Sequence, residues 1–236
     1  MAIDARDAAG FYATPLGRLT AGLLRKKLLA LWPDCRNLSI LGLGFTGPYL
    51  TLWRDQARCL AVSPTAMGPA AWPAGRPSLA CVAEEEALPF PDLSFDRILI
   101  VHGLEQAENT RRALREAWRL LKDDGRLIVV APNRRGIWAY MESTPFGHGQ
   151  PYSENQLSRL LSSLFFHVES KHEALFAPPL DWRPALRLFN AWEKAGRTLT
   201  PQLAGLTIAE ATKDMHGLIP ARPRTSGRRV LVDAGH

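Results

Sequence analysis

The sequence predicts an α/β protein built on a parallel sheet covered by helices on both faces. Three observations carry this. Short apolar runs alternate with helical segments through the first 133 residues, the order that lays successive strands side by side in one sheet. The run "SILGLG" is apolar without a polar alternate and leads straight into a glycine turn, as a buried strand does. Gly42, Gly44 and Gly47 then stand in a G-x-G-x-x-G spacing at the turn into the next segment, where backbone must pass close to a ligand or to a packed helix. The length of 236 residues suffices for one domain with a sizeable core.

The elements follow in order. Leu16 to Trp32 places Leu19, Leu23, Leu24, Leu28 and Leu31 at helical spacing, and Pro33 stops it. After the glycine turn a helix is expected over Pro48 to Trp53. "RCLAVSP" is the second strand, ended by Pro64, and "AMGPAAWPAGRPS" is a loop. "LACVAEEE" is the third strand and "FDRILIVHGL" the fourth. Asn109 to Lys122 is an amphipathic helix, and "DDGRLIVVAPN" is the fifth strand. A Gly/Pro loop from Pro145 to Pro151 precedes a helix from Ser153 to Leu164. "FFHVESKHEALF" is a strand, "RPALRLFNAWEKAGRTL" one helix, and "GLTIAEATKDM" the last strand. The expected organisation is a single domain over residues 1–219. It comprises a helical lid at 1–34, a core at 36–133 and a C-terminal part at 134–219, with a basic tail at 220–236.

The net charge of +6 modestly favours an acidic or polyanionic partner. Part of it sits in the tail, with Arg222, Arg224, Arg228 and Arg229 against Asp233. That tail is read first as a solvated end, with a contact for nucleic acid such as RNA, or for anionic lipid, as the alternatives. Cys35, Cys59 and Cys81 are far apart, form no C-x-x-C pair and read as buried free thiols, so neither a disulfide framework nor a metal site is expected. The N-terminus lacks an apolar signal core, and no run approaches the ~18 residues of a membrane span. A cytoplasmic protein is the expectation.

The glycine spacing alone fits a nucleotide loop or a turn that eases helix–sheet packing. A dinucleotide site also needs an acid roughly 20 residues on, at the end of the second strand. That strand ends in Ser63-Pro64, which argues against a nicotinamide cofactor. "EEEALPFPDLSFDRILIVHGLE" and "LREAWRLLKDDGRLIVVAPN" decide more. Together they resemble the class I S-adenosylmethionine-dependent methyltransferases, in the type 11-like group with "DAEALPFPDxSFDxV" and "L-x-E-x-x-RVLKPGG" stretches. The resemblance is close over residues 36 to 133 and weaker through the last two strands.

The resemblance implies a Rossmann-like, doubly wound seven-stranded sheet with an antiparallel last strand, and S-adenosylmethionine as cofactor. Gly42 and Gly44 would lie beneath its carboxypropyl and ribose parts, and Ser63 falls where the family has the ribose-binding acid. Glu84 matches the acid that accepts from the adenine amino group, and Glu85 would offer its backbone N–H to the ring. A solvated acidic strand end accounts for the same glutamates. His102, after the fourth strand, is a candidate general base or acceptor-positioning residue, in competition with a packing role. His148 in "TPFGHGQPYS", with Tyr152 beside it, is a second candidate on an acceptor-side loop. Phe11 and Tyr12 would form an apolar lid. The chain departs from the family in lacking the acid of its "LDxGCGxG" motif and in having Ser63. A methyltransferase of unknown acceptor, either a small apolar molecule or an RNA or protein component, is the leading reading. A catalytically inactive scaffold of the same fold is the alternative. Some family members also need a small activator subunit paired along the sheet, which the "LACVAEEE" strand could accept.

Overall fold

A computed structural model describes residues 4–73 and 75–214; the basic tail lies outside them. Seven strands form one sheet in the order β3-β2-β1-β4-β5-β7-β6. They are β1 (Ser39–Gly44), β2 (Arg58–Pro64), β3 (Ala80–Ala83), β4 (Phe95–Val101), β5 (Leu121–Pro132), β6 (Phe166–Ala174) and β7 (Leu206–Lys213). The first five run parallel, and β7 runs antiparallel to both β5 and β6. Strand order reverses between the paired strands β1 and β4, so the connections leaving their carboxyl ends turn to opposite sides and open a crevice there, the usual place for a ligand in such sheets.

Two apolar layers sandwich the sheet. Helices α1 (Ala5–Ala13), α2 (Pro15–Leu31) and α3 (Gly47–Leu50) cover one face; α4 (Thr110–Leu120) and α5 (Glu154–Ser162) cover the other. Strand β4 feeds both, with Ile98 and Ile100 to the second layer and Leu99 and Val101 to the first, the two-residue period of a strand buried on both sides. Thr14 ends α1 and caps α2, its hydroxyl accepting from Gly17 N at 3.0 Å. Ser153 and Gln156 form a capping box on α5.

The two stretches that carried the resemblance bind each other. Arg119 of α4 donates to Leu88 O at 3.1 Å and Phe90 O at 2.9 Å, and pairs with Asp92 and Glu116. Glu116 in turn accepts from Leu88 N at 3.2 Å. The apolar turn is thus locked to the helix that follows it in the sheet order. Asp96 does similar work at the other end of β4, accepting from Ser39 N at 2.8 Å and from Lys122 Nζ at 2.8 Å. Burial pushes its carboxyl pKa up, but the Lys122 and Ser39 bonds outweigh this and hold it below the ordinary aspartate value. A depressed folded value means stability present above the unfolded pKa and lost as pH falls through the folded one. Asp96→Asn therefore loses about 1 kcal/mol near neutral pH. It also flattens the acid limb of the stability curve below the ordinary aspartate value, which urea melts at several pH values read directly.

Several boundaries differ from the sequence reading. The helix after β1 is a single turn, since the chain bends into further turns from Thr51. β3 stops at Ala83, and Glu84–Glu86 leave the sheet as a turn. The helix expected over 183–199 is broken at Leu188 into α6 (Arg183–Arg187) and α7 (Phe189–Leu199). Cys35 and Cys59 are buried as expected, but Cys81 is exposed because β3 is an edge strand. Burial pushes the Cys35 thiol up to about 11 and that of Cys59 up to about 12, which keeps both protonated and unreactive. No described helix is long and apolar enough to cross a membrane.

Candidate cofactor and acceptor site

The glycine loop closes β1. Gly44 has φ +89°, a conformation that favours glycine, and a side chain there would run into Val101 O and Gly103 N. It lets the ends of β1 and β4 touch. Gly42 faces the helix side: a Cβ would meet Thr46 and Leu50 Cδ1. Gly47 begins α3. Gly42 therefore seats α3 on the sheet, while Gly44 sits at the crevice itself.

Gly44 lines two clefts on either side of β2. One is a narrow slot walled by Leu43, Val62, Pro64, Leu88 and Leu104, with Glu85 at its rim. The other, about 340 Å³, is lined by Gly44–Pro48, Arg54, Ser63 and Trp72. Thr46 Oγ1 and Trp72 Nε1 are buried there without a hydrogen-bond partner, a cost that a polar ligand in this cleft would remove. A third opening of about 420 Å³ is acidic, lined by Glu84, Glu85, Glu86 and Glu108. Glu86 is already paired with Arg112 at 2.9 Å. Glu84 is exposed and Glu85 half-buried. An apolar slot for a flat ring, with Glu85 at its rim and joined at Gly44 to a larger cleft, has room for an adenosine with its tail in the cleft. Ser63, 1 % exposed, occupies the end of β2 between them.

The carboxyl end of β4 carries a buried polar chain. His102 takes φ +53° and is 1 % exposed. Its Nε2 lies 2.8 Å from Tyr12 Oη, and its Nδ1 lies 3.2 Å from Glu105 Oε1. Tyr49 donates to Tyr12 Oη at 2.7 Å, which leaves the Tyr12 proton for His102 Nε2. Nδ1–H then points at Glu105, and Nε2 carries the lone pair. Burial raises the Tyr12 pKa well above its ordinary value, with Tyr49 and Glu105 adding to the effect, so its phenol stays protonated. Glu105 Oε2 is buried with no partner. Rings enclose the chain: Phe45 stacks on Tyr12 at 5.6 Å, Phe146 lies 4.6 Å from His102, and Phe11 and Trp138 pack on Phe146.

Sequence reading placed Phe11 and Tyr12 in this lid and His102 at the strand end. It missed Glu105, Tyr49, Phe45 and Phe146. The H-x-x-E spacing of His102 and Glu105 in the loop after a buried strand was the one available signal. His148 is separate from this chain: it bonds Glu142 O at 2.9 Å, while its neighbours Gly149 and Gln150 touch Glu105 O. Tyr152 bonds Thr110 on the α4 side.

Residues 41–129 match the family described as "Methyltransferase domain". Over that segment the chain is similar to the class I S-adenosylmethionine-dependent methyltransferases. Its sheet order and antiparallel β7 are those that the resemblance implied. A ubiquinone/menaquinone biosynthesis C-methyltransferase (UbiE) of Pseudoalteromonas translucida is 53% identical over 45 residues, 19% of this chain and 18% of that protein. The matched segment thus spans under a fifth of that relative's length. The methyltransferase in complex with the Trm112 activator of Haloferax volcanii is 18% identical with a TM-score of 0.59, covering 80% of this chain and 88% of that one. A Burkholderia thailandensis 1,6-didemethyltoxoflavin-N1-methyltransferase with bound S-adenosylhomocysteine is 15% identical with a TM-score of 0.54, covering 80% of this chain and 76% of that one. These two likenesses show a shared fold.

Proposed function

We propose that the protein transfers a methyl group from S-adenosylmethionine to a small apolar acceptor carrying an ionisable proton. The observation that carries this is the His102–Glu105 pair, buried inside a cage of aromatic rings at the end of β4. The slot beside Leu88 would hold the adenine, with Glu85 at its rim and Glu84 in the adjoining acidic opening, and the cleft at Ser63 and Gly44–Pro48 would hold the ribose and amino-acid parts. When bound, the cofactor supplies a methyl group on a sulfonium, already a strong electrophile. The protein's own part is to orient the acceptor, exclude water and take up a proton. His102 Nε2 accepts the acceptor's proton as the new bond to carbon, nitrogen or oxygen forms, while Glu105 holds the imidazole and stabilises its charged form. The Tyr12 hydroxyl occupies that Nε2 position in this structure, so α1 moves aside when an acceptor enters. His148 then borders the acceptor side without touching the base.

The rings favour an apolar acceptor, and the acidic opening at Glu84–Glu86 repels a nucleic-acid backbone. RNA remains a partner only through the tail. An activator subunit would pair along edge strand β3, where Leu79 and Val82 are each 42% exposed; the Trm112 complex is the neighbour that supports this. A second reading, a scaffold without catalysis, rests on Ser63, which offers one neutral bond where the family places a carboxylate.

Titration calorimetry with S-adenosylmethionine and S-adenosylhomocysteine decides between the two. Heat of binding is expected for both, with Ser63→Asp tightening it about tenfold. A folded sample that binds neither sinks the enzyme reading. Labelling an extract with tritiated methyl donor, then separating RNA, protein and small molecules, is expected to place the label in the small-molecule fraction.

A further inference from the structure

Helix α7 is turned inside out. It buries Phe189 and the charged Glu193, whose carboxylate accepts from three loop amides. Outward it presents Leu188, Trp192, Ala195 and Leu199, spaced i, i+4, i+7 and i+11 on one stripe. Trp192 is 49% exposed and Leu199 78%. Trp182, at the start of α6, extends the apolar surface and is 59% exposed. A surface helix ordinarily sends such a stripe inward.

Charge says what meets this face. From Arg183 to Leu199 the segment holds four exposed cations, Arg183, Arg187, Lys194 and Arg197. Its one acid, Glu193, is buried and engaged with backbone. None of the four cations forms an ion pair among the described residues. Arg187 and Lys194 flank the stripe on one side, as helical spacing requires. A second copy of the chain docked symmetrically would set cations against cations. Nucleic acid would use the cations and leave the tryptophans in water. An anionic lipid surface satisfies both, with tryptophan at the headgroup boundary and Arg/Lys beside it. The helix is too short and too charged to span, so it would lie in the plane of the interface. Next to it, Pro179 and Asp181 line a cleft of about 470 Å³ that reaches Phe11 of the lid, so the docked face would sit beside the way into the aromatic cage.

We propose that the α6–α7 face binds the surface of anionic membranes. The proposal is independent of the cofactor, and its test needs none. The full chain is spun with vesicles of phosphatidylcholine alone and with vesicles containing about 30% phosphatidylglycerol. It is expected to sediment with the anionic vesicles and to be released by high salt. Binding to the neutral vesicles is expected to be about tenfold weaker or more. The double variant Trp192→Ser/Leu199→Ser is expected to lower binding to anionic vesicles at least about tenfold. Its thermal unfolding stays unchanged, because both side chains are exposed. No sedimentation of the wild-type chain with either vesicle overturns the proposal. So does equal binding by the double variant. Lipid-free self-association that the double variant abolishes overturns it too, because a second copy would then be the occupant.

Discussion

Replacing Glu193 by alanine lowers the unfolding free energy by about 3 kcal/mol. The side chain is 4% exposed and accepts from Leu175 N at 3.0 Å, Phe176 N at 2.6 Å and Ala177 N at 3.3 Å. Three consecutive amides where the chain leaves β6 have no sheet partner, and one carboxylate satisfies them all. Alanine strands these donors beneath α7. Each unsatisfied buried amide costs roughly 1–3 kcal/mol, and the relief of no longer burying a charge offsets part of the sum. For a chain of this size the loss corresponds to a fall in Tm of about 6–12 °C. Glu193→Gln recovers little, because one arm of an amide is an N–H₂ group that would face an N–H. Calorimetric melts of the three proteins check this. A fall of under 2 °C for Glu193→Ala would show that α7 is held by Phe189 and its packing alone, the approximate threshold following from the same scaling.

Replacing His102 by glutamine is expected to lower kcat by about 10²–10⁴ while leaving cofactor affinity within about twofold. The separation of the two readouts is the point. His102 borders neither the slot that would take the adenine nor the cleft at Ser63, so a base role appears in turnover and not in the titration. Glu105→Gln removes the acceptor for Nδ1–H and is expected to cost less, on the order of tenfold, because the imidazole remains in place but loses its support. Wild-type turnover by His102→Gln would return the residue to a packing role. The labelled acceptor fraction from an extract serves as substrate for these rates.

Most of the fold was legible because its signals are local. β1, β2 and β4 are apolar runs ended by turn residues, and α2 shows its stripe of leucines within one segment. The LPFPD and REAWRLL stretches were recognisable as motifs, yet their reason is visible only in space. Arg119 and Glu116 clasp the turn at Leu88–Phe90 across about thirty residues of chain, a spacing no periodicity reports. The break at Leu188 was hidden for a similar cause. A helical pattern runs through it, and only the folded chain shows Glu193 of α7 turned inward to the amides at 175–177. The site was half legible. Strand ends nominated Gly44, Ser63 and His102, but the partners of His102 come from α1, α3 and the 3-10 turn at Pro145–Gly147, which meet only in the folded chain. Gly42 carries a packing demand that the spacing did not reveal, the seat it gives Thr46 and Leu50.

The bond between Tyr12 and His102 also sets a rate. With the phenol in place, Nε2 of His102 is engaged, and under the proposed function an entering acceptor would have to displace it. Displacing the phenol breaks the Tyr12–His102 contact and unstacks Tyr12 from Phe45; it also strains the backbone bond from Ala5 N to Met67 O, 2.9 Å long, which ties α1 to the loop after β2. The population of open molecules then scales the apparent affinity for every acceptor alike. That tie reaches the loop after β2, whose Ala70–Pro73 line the Ser63 cleft, so under the proposed function a ligand in the cleft and one beside His102 would be coupled through α1.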